Sequence, residues 1–177
     1  MRRIETLPTP VIGWPVRLAL IALMVMPVTT TDQTVRAAQG QAWPNEAYRV
    51  EWEESHVPTE AAANTTLAVP VTLRNSGNRV WPASVVFVAY HWFRDDKLVT
   101  WDGERTSLPR DLRAGSRATL SVRVTTPSEP GSYVLQVSLV HELVTWFEHK
   151  GATMVVRPIE VRRLTRSVDR GGSGFTP

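Results

Sequence analysis

The sequence predicts an all-β sandwich, and three observations predict it. Apolar and polar residues alternate with a period of two over several short segments. Thirteen prolines and ten glycines punctuate the chain, which favours short elements joined by turns over long helices. Beyond Ala42, no ten-residue stretch carries a helical period free of proline or glycine. The 177 residues, 42% of them hydrophobic, suffice for one core and its tails.

The chain opens on an address. Arg2 and Arg3 precede an unbroken apolar run over residues 18–26 (LALIALMVM), which Pro27 and a threonine-rich stretch close. That order is the layout of a secretory signal, with Val35-Arg36-Ala37 as the cleavage site. The alternative is an uncleaved anchor over residues 11–28. It would carry Pro15 and Arg17 inside it, and a mid-span arginine costs roughly 2.5–3.5 kcal/mol. Residues 1–37 are thus expected to be a signal peptide or signal anchor, and 38–44 a linker. Either route places the rest outside the cytoplasm, as a secreted, periplasmic or membrane-anchored protein. Residues 163–177 hold Arg163, Arg166, Arg170 and Gly171-Gly172-Ser173-Gly174 without an apolar period, and are expected to be a disordered basic tail.

Residues 45–162 are expected to fold. Over residues 48–53 (YRVEWE), Tyr48, Val50 and Trp52 share one face of a half-buried strand. Leu67, Val69, Val71 and Leu73 repeat the pattern. Pro70 lacks an N–H, which places this strand at an edge or at a bulge. Residues 85–93 (VVFVAYHWF) are apolar on both faces, as in a central strand covered on each side. Arg94-Asp95-Asp96-Lys97 turns the chain into a short strand over residues 98–101. Leu120, Val122 and Val124 alternate, as do Tyr133, Leu135, Val137 and Leu139, and a last hairpin is expected over residues 144–161. About seven or eight short strands spaced by turns describe an immunoglobulin-like antiparallel β-sandwich. Tyr133, opening a strand after Pro130-Gly131-Ser132, has the placement of a tyrosine corner.

Few residues point to chemistry. There is no cysteine, so disulfides, thiolate catalysis and cysteine-held metals are excluded. The histidines His56, His91, His141 and His149 show no metal-ligand spacing, and His91 in the most apolar strand reads as a satisfied buried histidine. Asp95, Asp96, Asp102 and Glu104 gather near hairpin ends, where acidic residues commonly sit, and match no calcium loop. No glycine-rich phosphate loop or nucleophile elbow occurs. No enzyme activity, cofactor or metal is expected. The net charge of +3 lies largely in the termini and gives no ground for nucleic-acid binding.

The seven tryptophans are the better clue. Trp81 precedes Pro82 and is expected to plug one end of the sandwich; Trp52 is expected in the core. Trp146 and Phe147 are adjacent in a strand, so one must face away from the core. The expected binding residues are Trp101, Asp102, Arg105, Trp146, Phe147 and Glu148, at one end of the domain. They suit a protein partner within an envelope assembly. Alternatively, Trp101, Trp146 and Phe147 stack on a polysaccharide, with Asp102, Glu104 and Arg105 as polar partners. A third possibility is a structural spacer, held to the membrane through the N-terminal segment if that is uncleaved.

Three turns carry a family resemblance. Asn75-Ser76-Gly77 followed by Val80-Trp81-Pro82 resembles the N-x-G-x-x-x-W-P opening of the four-tryptophan Ig-like domain, found in selective-autophagy cargo receptors and many bacterial proteins. Leu112-Arg113-Ala114-Gly115 resembles its L-x-x-G turn. Pro127 with Pro130-Gly131-Ser132-Tyr133 resembles its P-x-x-x-G-x-Y turn. The segment from His141-Glu142 to Trp146-Phe147-Glu148 departs from the receptor version. It looks more like envelope-associated bacterial sandwiches that accompany polysaccharide-handling enzymes. The resemblance implies a binding module and transfers no active site.

Overall fold

A computed structural model describes residues 40–164. The expected signal or anchor at 1–37 and the basic tail beyond 164 lie outside the described residues. Ten strands follow a short 3-10 turn at Asn45–Tyr48: β1 (Val50–Ser55), β2 (Glu60–Ala62), β3 (Thr66–Asn75), β4 (Val86–Arg94), β5 (Lys97–Thr100), β6 (Thr106–Ser107), β7 (Arg117–Thr125), β8 (Gly131–His141), β9 (Thr145–Trp146) and β10 (Val155–Arg162). One sheet has the order β1-β3-β7; the other runs β2-β10-β8-β4-β5, with β6 on β4 and β9 on β8. Strands β1, β3 and β7 opposite β10, β8, β4 and β5 form the sheet partition of an Ig-type sandwich.

The core lies between the sheets, built from the alternating residues that period-two patterning predicts. Val69, Val71 and Leu73 of β3 face Val88, Tyr90 and Trp92 of β4, and Leu135, Val137 and Leu139 of β8 fill the centre. Each such side chain contributes about 1.5–3 kcal/mol on burial. Tyr133 donates its hydroxyl to the Glu129 carbonyl at 2.9 Å, the geometry of a tyrosine corner.

Three expectations need correcting. The second sheet is mixed, because β2 runs parallel to β10. Strand β3 is central, flanked by β1 and β7, and the irregularity in its pairing lies on β1 between Trp52 and Glu54, not at Pro70. Its Pro70 is tolerated because β1 ends beside it: the last β1 pair is Ser55 with Val71, and the Pro70 carbonyl then accepts the His56 N–H at 3.0 Å. In an antiparallel strand a residue's N–H and C=O point the same way, so the missing donor falls where the ladder has run out and costs no bond to β7. The expected last hairpin is also absent. Strand β9 folds back onto β8, and β10 pairs with β8 and β2. The 3-10 turn Glu148–Lys150 ends at Gly151, which takes a left-handed φ of 85° that favours glycine.

Trp81 does seal one end. It is fully buried, pairs through its backbone with Leu112, and its indole N–H donates to the Ala47 carbonyl at 2.7 Å. Trp52 is only partly buried; its indole N–H ties β1 to the Thr153 carbonyl at 2.9 Å. Trp43, expected in the linker, packs on the fold, stacked on His141 at 4.0 Å between ring centroids.

Candidate functional site

The outward face of the larger sheet is where the sequence-predicted site residues meet. Strand β4 is apolar on both sides, so its even-numbered residues enter the core while Phe87, Ala89 and His91 point outward. Val140 and Trp146 join Ala89 and Phe87 there in a second small apolar cluster. The β5–β6 loop, with Trp101, Asp102 and Arg105, folds over this cluster from one side. Strand β9 and the following 3-10 turn close it from the other.

His91 is the hub. It is 1% exposed and uses both ring nitrogens. Nδ1 donates to the Trp101 carbonyl, and Nε2 pairs with Glu148 Oε1 at 3.1 Å. The Ser138 hydroxyl donates to the other Glu148 oxygen. Burial pushes the Glu148 carboxyl up, but the hydrogen bonds from His91 and Ser138 outweigh it and hold the group below its ordinary value. The His91 ring also stacks on Trp101 at 4.3 Å and 20°, and lies 4.3 Å from Trp146 at a tilt.

Above this buried layer sits the surface proper. Trp101 is 40% exposed and is bracketed by near-parallel imidazoles, with His149 at 5.7 Å and 16°. Trp101 meets Trp146 edge to face at 5.7 Å. The Arg105 guanidinium lies over Trp146 at 5.3 Å, a cation–π contact. The same guanidinium bonds Asp102, donates from Nε to Glu142 at 2.9 Å, and reaches the Gly103 carbonyl at 3.0 Å. Burial lowers its proton affinity, and the two carboxylates raise it by more, so Arg105 stays charged.

Five of the six expected residues are therefore gathered here, with Glu148 beneath the surface. Phe147 is the correction. It points into the main core with no exposed surface, edge-on to Trp81 and Tyr48. Trp146 does take the opposite face, yet it is only 8% exposed, because Trp101 and Arg105 cover it. Residues of the site outside the expected set are Ser138, Glu142, His149 and Leu143. Ser138 lies within β8 on the outward side of its alternation and the other three lie in or beside turns, and neither placement reveals what folds over them.

Leu143 stands at the rim. It is 93% exposed and has a φ of 60°. It is the third residue of a turn closed by the Val144 N–H on the His141 carbonyl at 3.0 Å. With Arg105, Glu142, Trp146 and His149 it lines one surface groove.

No protein-family model matches the chain, and no curated protein matches it. Solved structures similar to it include a β-glucosidase from Listeria innocua, at 18% identity over 64% of this chain and a TM-score of 0.42. A CARDB domain from Pyrococcus furiosus matches at 17% identity, over 64% of this chain and 92% of that one, with a TM-score of 0.38. The Pseudomonas fluorescens alkylpurine DNA glycosylase bound to DNA with an abasic-site analogue matches at 13% identity, over 73% and 34% of the two chains, with a TM-score of 0.43. The chain spans 16% of the length of the glucosidase. Likenesses this distant carry no argument about activity, substrate or partner.

Proposed function

We propose that this chain is a non-catalytic binding module that works outside the cytoplasm and engages a protein partner in a cell-envelope assembly. The observation that carries the reading is Trp101: a large ring left 40% exposed, yet held by a buried histidine through both its carbonyl and its face. A pre-ordered exposed aromatic is what an interface hot spot needs, since little side-chain entropy is lost on binding. Of the ionisable groups around it, Arg105 is tied to Asp102 and Glu142 and His91 to Glu148, while His149 stacks on the ring. Such internally paired groups suit recognition better than proton transfer. The basic start and apolar run over residues 18–26 support export, and the turn motifs shared with the four-tryptophan domain support a binding role.

Binding across the sheet face fits better than strand addition at its edge. The larger sheet ends at β2, with three residues, and at β5 beside the site, with four residues and a register with β4 that slips at Trp92 and Phe93. A short, irregular edge strand is a poor template for a partner strand. Crosslinking the full-length chain in its native membrane should trap one stable protein neighbour, and Trp101→Ala should lose it; a free monomer would sink the reading. The carbohydrate reading draws on the same exposed ring beside paired charges. It predicts a tryptophan emission shift on titration with envelope polysaccharides that Trp101→Ala abolishes; an unchanged spectrum excludes it.

A further inference from the structure

We infer that Leu143 is the apolar anchor of the interface: a leucine knob presented to a pocket on a different protein. The inference rests on the reading of the Trp101 surface as a protein-binding face and says what that face inserts.

Two independent observations carry it. The first is the backbone. Among the described residues, four that are not glycine have positive φ: Asn64, Asp95, Asp96 and Leu143. Asparagine and aspartate tolerate the left-handed region because their short polar side chains bond locally. Leucine has no such compensation, and this turn position favours glycine. The fold therefore keeps a strained leucine where a better turn former is available, and strain retained at one place points to a use. The second is exposure. Leu143 is 93% exposed, far above Leu98, Val99 or Trp101 in the same region. A side chain so placed gains nothing from this domain's own core.

The setting fixes the kind of occupant. Leu143 follows Glu142 and shares a groove with Arg105 and Trp146. The Asp102–Arg105–Glu142 cluster leaves one net negative charge at the rim, two carboxylates against one guanidinium. The fitting partner thus has an apolar pocket with a basic or hydrogen-bond-donating edge. A glycan offers a leucine no such pocket. A second copy of this chain is the rival occupant that the test must exclude: its hollow lined by Ala42, Trp43, Pro44 and Arg79 also has apolar walls and a basic edge, whereas the hollow lined by Val80, Arg110, Asp111, Arg113 and Ser116 is mostly charged.

The test separates this knob from the wider surface. A photo-crosslinking residue replaces Val99, beside Trp101, in the full-length chain in its native cells; a second chain carries it at Thr119, on the other sheet. The knob predicts an adduct with one different protein from position 99, none from 119, and a loss of at least tenfold in that adduct with Leu143→Asn. The purified Leu143→Asn chain should melt at the same temperature or higher, because asparagine suits the positive φ. An undiminished adduct in Leu143→Asn overturns the knob. If Trp101→Ala still removes that adduct, the Trp101 reading stands alone. A lowered melting temperature in Leu143→Asn marks the leucine as structural and overturns the inference. An adduct only with a second copy does the same, and no adduct from position 99 overturns both readings.

Discussion

At the scale of single residues, His91 organises the site without being available to a ligand. Its two nitrogens hold the Trp101 carbonyl and Glu148, so removing it loosens the loop above and strands a carboxylate below. The Glu148 side chain is only 12% exposed, and only Ser138 and its own backbone N–H would remain to satisfy it. His91→Ala is therefore expected to cost about 2–4 kcal/mol, read from urea unfolding. Amide exchange across residues 98–105 should quicken by more than the global loss explains. An unchanged exchange pattern would show that Trp101 is held by other contacts. Much of this site was legible: adjacent aromatics in a strand must take opposite faces, and Trp146 and Phe147 do. What was not legible is which face each takes and what covers it. Alternation reports sides, while the cover comes from loops whose path no local pattern records.

At the scale of elements, the turn between β3 and β4 shows why its residues are spaced as they are. The Asn75 amide donates to the Arg79 and Leu112 carbonyls, each at 2.8 Å, and its oxygen accepts the Gly77 N–H at 3.0 Å. Gly77 passes so close to the 3-10 turn that a Cβ there would sit 2.7 Å from the Ala47 carbonyl oxygen. That oxygen also accepts the Trp81 indole N–H. The asparagine, the glycine and the tryptophan thus lock one loop onto Ala47. Gly77→Ala should destabilise by about 1–3 kcal/mol through overpacking. Asn75→Ala should cost about 2–4 kcal/mol, because three backbone groups lose a partner. Thermal melts of both variants check this, and near-wild-type stability in Gly77→Ala would mean that the loop can yield. Turn motifs of this kind are readable because each residue type answers a local need. The parallel pairing of β2 with β10 is not, since no residue in either segment encodes a neighbour a hundred positions away.

At the scale of the whole molecule, two buried groups make stability rise with pH across the acid range. His141 is fully buried; burial and the nearby Arg79 charge lower its pKa below the ordinary 6.5. Tyr48 Oη accepts the Trp43 N–H at 2.9 Å, so its own proton points to His141 Nδ1, 3.1 Å away. The imidazole proton then sits on Nε2, which has no partner among the described residues. Below pH 6.5 the unfolded chain takes up a proton at His141 that the folded chain refuses. The unfolded state binds more protons, so stability falls as pH drops from 6.5 towards the lower folded value. Glu148 adds a second window. Its folded pKa lies below the ordinary 4.5, so its contribution is complete above 4.5 and is lost as pH falls from there through the folded value. Urea midpoints measured stepwise from pH 8 to pH 3 should therefore decline in two stages. His141→Phe keeps an aromatic ring against Trp43 but has no titrating group. It should flatten the upper stage and leave the lower one intact. A decline between pH 6.5 and 5 that persists in His141→Phe would place the acid sensitivity elsewhere in the fold.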